Sequence, residues 1–257
     1  MTPAALRRTD AVAGGLLLVE AALLTVALVA TGGSVRLPVT AGLRGASGTV
    51  DRVQLAQVDA AAAAILLLVL TGLARLLLLA GPLRRRRDAA LALNHHDARW
   101  LEFAFTSSIR IFLIAQLNGV AELGALVPIY AITSGLVLCS VLQERVTVTA
   151  GHPLLPLCFG AALGIVPWGV IAFHQLGAGV VGAGPTPIVR VTTLVLLAAA
   201  FVFFITQWRE QRRIAAADGA DRLRVLIAGE QRYVVLSAVA ATLFALLVVL
   251  GIALPSA

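Results

Sequence analysis

The residues of this sequence that could do chemistry are charged side chains inside long apolar stretches. The stretch 99–119 is apolar enough to cross a bilayer, yet it contains Glu102 and Arg110. An ionisable group in a membrane span is costly, and it usually faces the protein interior. On a helix the two residues lie roughly 12 Å apart along the axis, too far for a direct ion pair. Each of these charges therefore needs a partner from elsewhere in the chain.

Two further apolar stretches also carry internal charges. Glu20 lies about halfway along the stretch 11–31, and Arg75 lies toward the end of the stretch 58–81. An arginine near the end of a span can reach the lipid headgroups by snorkelling. Because Arg75 is roughly two turns from that end, pairing with an acid inside the protein is an equally weighted interpretation.

The polar residues show no pattern typical of an enzyme or a metal site. His95 and His96 are adjacent next to Asp97, and adjacent histidines lack the i, i+4 spacing that places two ligands on one helical face. We expect a solvated loop there, with Asp97 capping the following helix. No nucleophile with a base and an orienting group is recognisable. The sequence therefore predicts neither a catalytic residue nor a metal ligand.

The elements that must position these charges follow from composition. The chain has 257 residues, of which 60% are hydrophobic and 13% charged, and its mean hydropathy is +0.95. Seven stretches are long and apolar enough to span a bilayer, namely 11–31, 58–81, 99–119, 122–142, 154–176, 188–208 and 232–253. Backbone groups in lipid must be satisfied within each segment, so the spans are helices. We predict an all-α polytopic membrane protein in which residues 1–257 form a single seven-helix domain.

The distribution of arginine predicts the orientation of the chain. All 20 basic residues other than histidine are arginines, and most fall on one side when the N-terminus is placed in the cytoplasm. This orientation predicts a multi-pass protein of the cell membrane with an external C-terminus. It also predicts basic cytoplasmic loops at 82–98 and 209–231 and an external loop at 32–57 with a β-hairpin. The net charge of +7 then indicates contact with membrane lipids rather than with nucleic acid.

The fifth span contains small residues and an aromatic residue of interest. Gly160 and Gly164 form a small-xxx-small face that permits close helix approach. Trp168, next to a proline in the same span, either lines a cavity or packs in the core.

Several strings of the sequence resemble the heliorhodopsin family of microbial rhodopsin relatives. They occur in order over nearly the whole chain and include RWLEFAFTSSIRIFLIAQLNGVAEL, LQER, FGAALGIVPW and GEQRYVVLSAVA. The resemblance implies a rhodopsin-like bundle of seven helices with a cytoplasmic N-terminus, and a homodimer, which the glycine face of span five also favours. It further implies retinal held as a protonated Schiff base on a lysine of helix seven.

The residues at the retinal-pocket positions of that family are Glu102, Ser237, Ala241 and Trp168. The resemblance makes Glu102 the counterion and puts Ala241 where the family has its lysine. A retinal imine requires a primary amine, and the chain contains no lysine at all. We therefore expect no covalent retinal. Histidines of the family fall on Leu17 and Arg75 in this sequence.

Two arrangements of Glu102 remain open once the Schiff-base cation is missing. In the first, Arg75 replaces that cation in an internal cluster of Glu20, Arg75 and Glu102. In the second, Glu102 is protonated and hydrogen-bonded to Ser237 while Arg75 snorkels. A carboxylate within about 4 Å of the Arg75 guanidinium would distinguish the first from the second.

Three functions are compatible with the sequence. The first is a heliorhodopsin-like protein without a pigment, which acts as a regulatory or interaction protein through its arginine-rich cytoplasmic loops and a cytoplasmic protein partner. The second is a noncovalent binder of retinal, a carotenoid or a lipid, with Trp168, Phe103, Phe105 and Phe201 as apolar walls. The third and weakest is an ion pathway that uses the charges inside the spans, including Arg190.

Overall fold

Seven long helices form the fold, as the sequence predicts. The computed structural model describes residues 3–45, 48–146 and 154–254. Within these residues, seven helices are long and apolar enough to cross a membrane, and a shorter helix, α3, lies between the second and third of them. The helices are α1 Pro3–Thr31, α2 Ala60–Leu77, α3 Gly81–Ala92, α4 Asp97–Leu117, α5 Leu123–Val146, α6 Leu155–Val180, α7 Pro187–Ala215 and α8 Gly219–Val248, and α8 continues as a π-helical segment Val249–Ala253.

The β-hairpin expected after the first span is present. Strands β1 (Arg36–Arg44) and β2 (Val50–Asp59) pair antiparallel. At its end the Asp59 side chain caps α2 by accepting from the backbone N–H groups of Ala61 and Ala62 at 2.9 and 3.1 Å. The hairpin contacts the turn between α4 and α5, where Gly42 N–H donates to Glu122 Oε1 at 3.0 Å. We call this side of the bundle the hairpin end and the opposite side the arginine-rich end.

The predicted basic loops are largely helical, so their predicted boundaries were wrong. The segment 82–98 contains α3, and the segment 209–231 is divided between the last turns of α7 and the first turns of α8. Leu226 and Ile227 in the second of these segments are buried against Leu6 and Ile214. A search for apolar stretches ends at the first charged residues, whereas these helices continue because their polar side chains are buried against one another.

Close helix contacts hold the charged residues in place. An added Cβ at Gly14 of α1 would lie 2.9 Å from the Gly72 carbonyl oxygen of α2, and one at Gly72 would lie 3.1 Å from the Gly14 oxygen. Glycine at both positions therefore allows these two backbones to touch, one turn before Arg75. Gly160 of α6 similarly abuts Leu136 and Cys139 of α5. The small-residue face predicted to favour a dimer is thus used within the chain.

Candidate functional site in the buried charges of the bundle

The Arg75 side chain points into the bundle and pairs with Glu102. Arg75 Nη2 of α2 lies 3.1 Å from Glu102 Oε2 of α4, and only 3% and 8% of the two side chains are exposed. The distance lies within the ordinary range of a hydrogen bond between an N–H donor and an oxygen acceptor. Arg75 therefore does not snorkel to the headgroups, and the cation of Glu102 comes from the same chain.

Two threonines complete the surroundings of the Glu102 carboxylate. Thr71 Oγ1 donates to Glu102 Oε1 at 3.2 Å. Thr106 Oγ1 lies 3.2 Å from the same oxygen and 3.0 Å from the Glu102 carbonyl oxygen, so its single proton is shared between these two acceptors. Thr71 precedes Arg75 by four residues and Thr106 follows Glu102 by four, so each lies on the same face of its helix as its neighbour. Both carboxylate oxygens thus have donors, which a buried charge needs in order to be tolerated. Ser237 is not among the partners of Glu102, contrary to the second arrangement.

Glu20 does not belong to this cluster. Its Oε2 atom accepts from Thr242 Oγ1 of α8 at 2.6 Å, and no ion pair with Arg75 is present among the described residues. The inclusion of Glu20 in the predicted polar cluster was therefore wrong. Sequence spacing does not give the rotation of α1 about its own axis. In the structure this rotation turns the Glu20 side chain toward Thr242 of α8.

Helix α8 is the seventh span, and its residues at the family's retinal positions are enclosed by the core. Ala241 is 2% exposed and Ser237 is 4% exposed, so almost no water-sized space adjoins either side chain. Trp168 is half-buried and packs against the central apolar core that contains Ala241. The prediction that Phe105 and Phe201 form walls of a ligand pocket was wrong. These two side chains are 54% and 59% exposed on the outer surface of the bundle.

Arg110 is buried without a partner of opposite charge. It is 8% exposed, and no carboxylate among the described residues lies within 4.0 Å of its nitrogens. Glu122, in the turn after α4, accepts a hydrogen bond from the hairpin. The guanidinium carbon lies 6.0 Å from the centre of the Phe244 ring, within the range of a cation–π contact. Arg190, another residue of the predicted ion pathway, is exposed.

The largest network of buried charges was missed by sequence reasoning. It lies at the arginine-rich end and centres on Arg99, whose Nη2 contacts Glu144 Oε1 at 2.6 Å and whose Nη1 contacts Glu230 Oε2 at 2.9 Å. The three side chains come from α4, α5 and α8 and are almost completely buried. Arg99 also lies over the Trp100 and Tyr233 rings, at 4.4 and 4.0 Å from their centres. We call Arg99, Glu144 and Glu230 the Arg99 network.

His96 belongs to this network rather than to a solvated loop. Its Nδ1 lies 2.8 Å from Glu144 Oε1 and its Nε2 lies 3.7 Å from Glu230 Oε2. Its backbone N–H donates to Glu144 Oε2 at 3.1 Å. The expected loop is present between α3 and α4, but His96 is buried instead of solvated, and His96, not Asp97, occupies the N-cap of α4. No cluster of three potential metal-binding side chains occurs within 3–45, 48–146 and 154–254.

Two other buried groups lie at the same end. Arg87 of α3 contacts Asp10 of α1 at 2.6 Å, with both side chains buried. Glu210 of α7 is buried, and neither of its carboxylate oxygens has a hydrogen-bond partner. Its Oε1 atom would lie 1.1 Å from a Cβ added at Gly229 of α8. Glycine at 229 is thus what leaves space for this carboxylate.

The sequence contained a weak signal for the Arg99 network. Glu144 ends span four in LQER, and Glu230 precedes span seven in GEQR. Both strings belong to the resemblance described above, and their acids lie beside the apolar stretches, where charged residues are usually solvated. Glu144 and Glu230 lie 45 and 131 residues away from Arg99 in sequence, so no local spacing rule connects them to it.

The chain is similar to a known protein family. The family profile described as Heliorhodopsin matches residues 6–253, which is nearly the whole chain. No curated protein matches the chain.

Proposed function

The chain belongs to the heliorhodopsin family, and from this premise we propose that it acts without a retinal pigment, as a membrane-embedded regulatory or interaction protein rather than an enzyme. The observation that carries the proposal is the ion pair between Arg75 and Glu102. The family's counterion position is already neutralised by an arginine of the same chain. A protonated Schiff base has no unpaired carboxylate to stabilise it there.

Two features of helix α8 support the loss of the pigment. Ala241 carries a methyl group where the resemblance requires an amine, and the chain contains no lysine that could replace it. The low exposure of Ala241 and Ser237 also leaves little room for a polyene beside them. The residues present therefore do not fit covalently bound retinal.

The arginine-rich end supplies a surface for a protein partner. Exposed or half-buried arginines without a carboxylate partner among the described residues cluster there on α1, α3 and the ends of α7 and α8, and they are Arg8, Arg84, Arg85, Arg86, Arg209, Arg212, Arg213 and Arg222. The buried Arg99 network and the pair of Arg87 with Asp10 fix these helices beneath the surface. Such a surface is complementary to an acidic patch on a partner.

The arginine bias also supports a cytoplasmic location for this end. The N-terminus is then cytoplasmic, the C-terminus external, and the partner a cytoplasmic protein. An engineered cysteine at Gly48 in the hairpin should react with an impermeant maleimide in intact cells, whereas one at Ala217 should react only after lysis. Cys139 and Cys158 are first replaced by serine. The reverse pattern would overturn this orientation.

A homodimer is proposed on the family resemblance alone, since Gly160 packs against α5 within the chain. Its interface requires another surface. The large apolar residues exposed on α6, Ile165, Phe173 and Leu176, offer one. Cross-linking in native membranes with and without a charged residue at Phe173 tests this proposal.

Addition of all-trans retinal to the purified protein tests the loss of the pigment. We expect no visible absorption band and no adduct after borohydride reduction, measured beside a family member that has the lysine. A band that changes with pH and survives reduction as an adduct would overturn the proposal. A bound retinoid without an adduct would instead favour the noncovalent binder.

Matched charge removal tests the interaction surface. The triple variant Arg84→Gln, Arg85→Gln, Arg86→Gln removes three charges from α3. The control Arg36→Gln, Arg44→Gln, Arg52→Gln removes three charges from the hairpin end. In-cell cross-linking with mass spectrometry should yield a specific partner that the first variant loses and the control retains. Equal loss in both variants, or no reproducible partner in the wild type, would contradict the proposal.

A further inference from the structure

A lipid-facing groove runs between α1 and α8, away from the buried charges. It has a volume of about 640 Å³. Its walls are mostly apolar, and the exposed residues among them, Val12, Leu16, Val235 and Val239, open it toward the hydrocarbon region. Within the described residues, no acidic side chain lines it.

The groove is polar at the arginine-rich end. Arg8, Thr9 and Gln231 line it there. Arg8 is exposed and has no carboxylate within 4.0 Å among the described residues, whereas its neighbour Arg7 pairs with Asp88 at 3.9 Å. Gln231 Nε2 donates to Thr9 Oγ1 at 3.3 Å. Its Oε1 atom is buried and has no hydrogen-bond partner in the part of the chain that the structure describes.

The dimensions of the groove match a single hydrocarbon chain. From Gln231 to Leu243 its wall on α8 extends about 18 Å, close to half the thickness of the hydrocarbon core, about 15 Å. The polar residues lie at one end of this length and apolar residues line the rest of it, which is the arrangement that a lipid headgroup and one acyl chain require.

We propose that this groove binds an anionic phospholipid with a hydroxylated headgroup, such as phosphatidylglycerol. One acyl chain lies along the apolar walls toward Thr242, whose hydroxyl is already bound to Glu20. The phosphate lies at Arg8, and a headgroup hydroxyl donates to the free Gln231 Oε1. The site is independent of the retinal positions and shares only Arg8 with the surface proposed for a protein partner.

Lipid retention measured by native mass spectrometry tests this proposal. The protein is placed in nanodiscs that contain equal amounts of phosphatidylglycerol and phosphatidylcholine with the same acyl chains, and is then released from them for the measurement. We expect preferential retention of one phosphatidylglycerol. Arg8→Gln should reduce this retention about fivefold, whereas the matched control Arg7→Gln, which removes an adjacent charge outside the groove, should change it less than twofold. Val239→Trp should reduce it by filling the groove.

Several outcomes would overturn the proposal. Equal losses in the Arg7 and Arg8 variants would indicate diffuse attraction to the membrane surface. Equal retention of both lipids would remove the headgroup specificity. Retention unchanged by Val239→Trp would place the lipid elsewhere. If Val239→Trp does not fold, a phosphatidylglycerol with a photoreactive acyl chain replaces it, and labelling outside the segments 12–17 and 235–243 would contradict the assigned groove.

Discussion

Arg75 and Glu102 face each other across α2 and α4 with 3.1 Å between Nη2 and Oε2, and both side chains are shielded from solvent. Hydroxyl groups of Thr71 and Thr106 occupy the second carboxylate oxygen. Because both oxygens of this carboxylate accept hydrogen bonds from side chains of the same chain, Glu102 has donors and a cation without a chromophore. Arg75 therefore balances the charge of Glu102 at the place where the family resemblance puts the charge of a chromophore.

Replacement of Arg75 by methionine should strongly destabilise the protein. It leaves the Glu102 charge buried without a cation, which costs about 3–5 kcal/mol when one partner of a buried pair is removed. The apparent melting temperature in detergent should fall far more than for Arg190→Gln, which removes an exposed charge. The double variant Arg75→Met, Glu102→Gln should recover most of the loss. If the double variant is no more stable than Arg75→Met alone, the two residues are not coupled.

Replacement of Arg99 by methionine should be more damaging than replacement of Arg75. Arg99 contacts two buried carboxylates, those of Glu144 and Glu230, so its loss removes the arginine from two buried charges instead of one and leaves only His96 beside them. The same thermal measurement compares the variants directly, with Arg209→Gln as a control at the same end of the bundle. A smaller loss for Arg99→Met than for Arg75→Met would show that His96 alone can satisfy both acids.

Local composition was enough to predict the helices and the hairpin. The contacts between helices could not be predicted in the same way, because they depend on how each helix is rotated about its axis. Apolar length was enough to place all seven spans, and turn-rich composition was enough for the hairpin. Arg75 could be proposed as the partner of Glu102 in one of two arrangements, because its sequence position lies roughly two turns from the end of its span. Glu20 could not be assigned, since a small rotation of α1 turns it from α2 to Thr242. The Arg99 network was hidden because polar residues next to apolar stretches look solvated until their distant partners are known.

Gly229→Ala should destabilise the arginine-rich end. The new Cβ would overlap Glu210 Oε1, and a buried carboxylate has few alternative positions, so a loss of about 1–3 kcal/mol from overpacking is expected. Gly169→Ala is the control, because nothing lies within 4 Å of its added Cβ and alanine is favoured in a helix. Thermal unfolding of both variants checks this, and the double variant Gly229→Ala, Glu210→Ala should regain stability. No rescue by the second substitution would contradict the contact.

Introduction of the missing lysine should not by itself create a pigment. In Ala241→Lys the amine enters an enclosed site, and Glu102 remains paired with Arg75. We expect no visible band with all-trans retinal and a lower melting temperature. Addition of Arg75→His, the residue type that the family resemblance gives this position, releases Glu102 and should increase any retinal adduct. A stable visible pigment from Ala241→Lys alone would mean that the pocket is open and the counterion is free.

Arg110→Leu should stabilise the protein. Arg110 is buried, has no carboxylate partner among the described residues, and keeps Nε without a hydrogen bond. Leucine removes this cost of desolvation and adds apolar contact near Phe244, so a gain of about 1–3 kcal/mol is expected. The corresponding rise in apparent melting temperature should be absent in Arg110→Lys, which keeps the charge. A fall in stability for Arg110→Leu would instead mean that the guanidinium holds a favourable partner, such as a bound anion, and added chloride should then raise the melting temperature of the wild type but not of the variant.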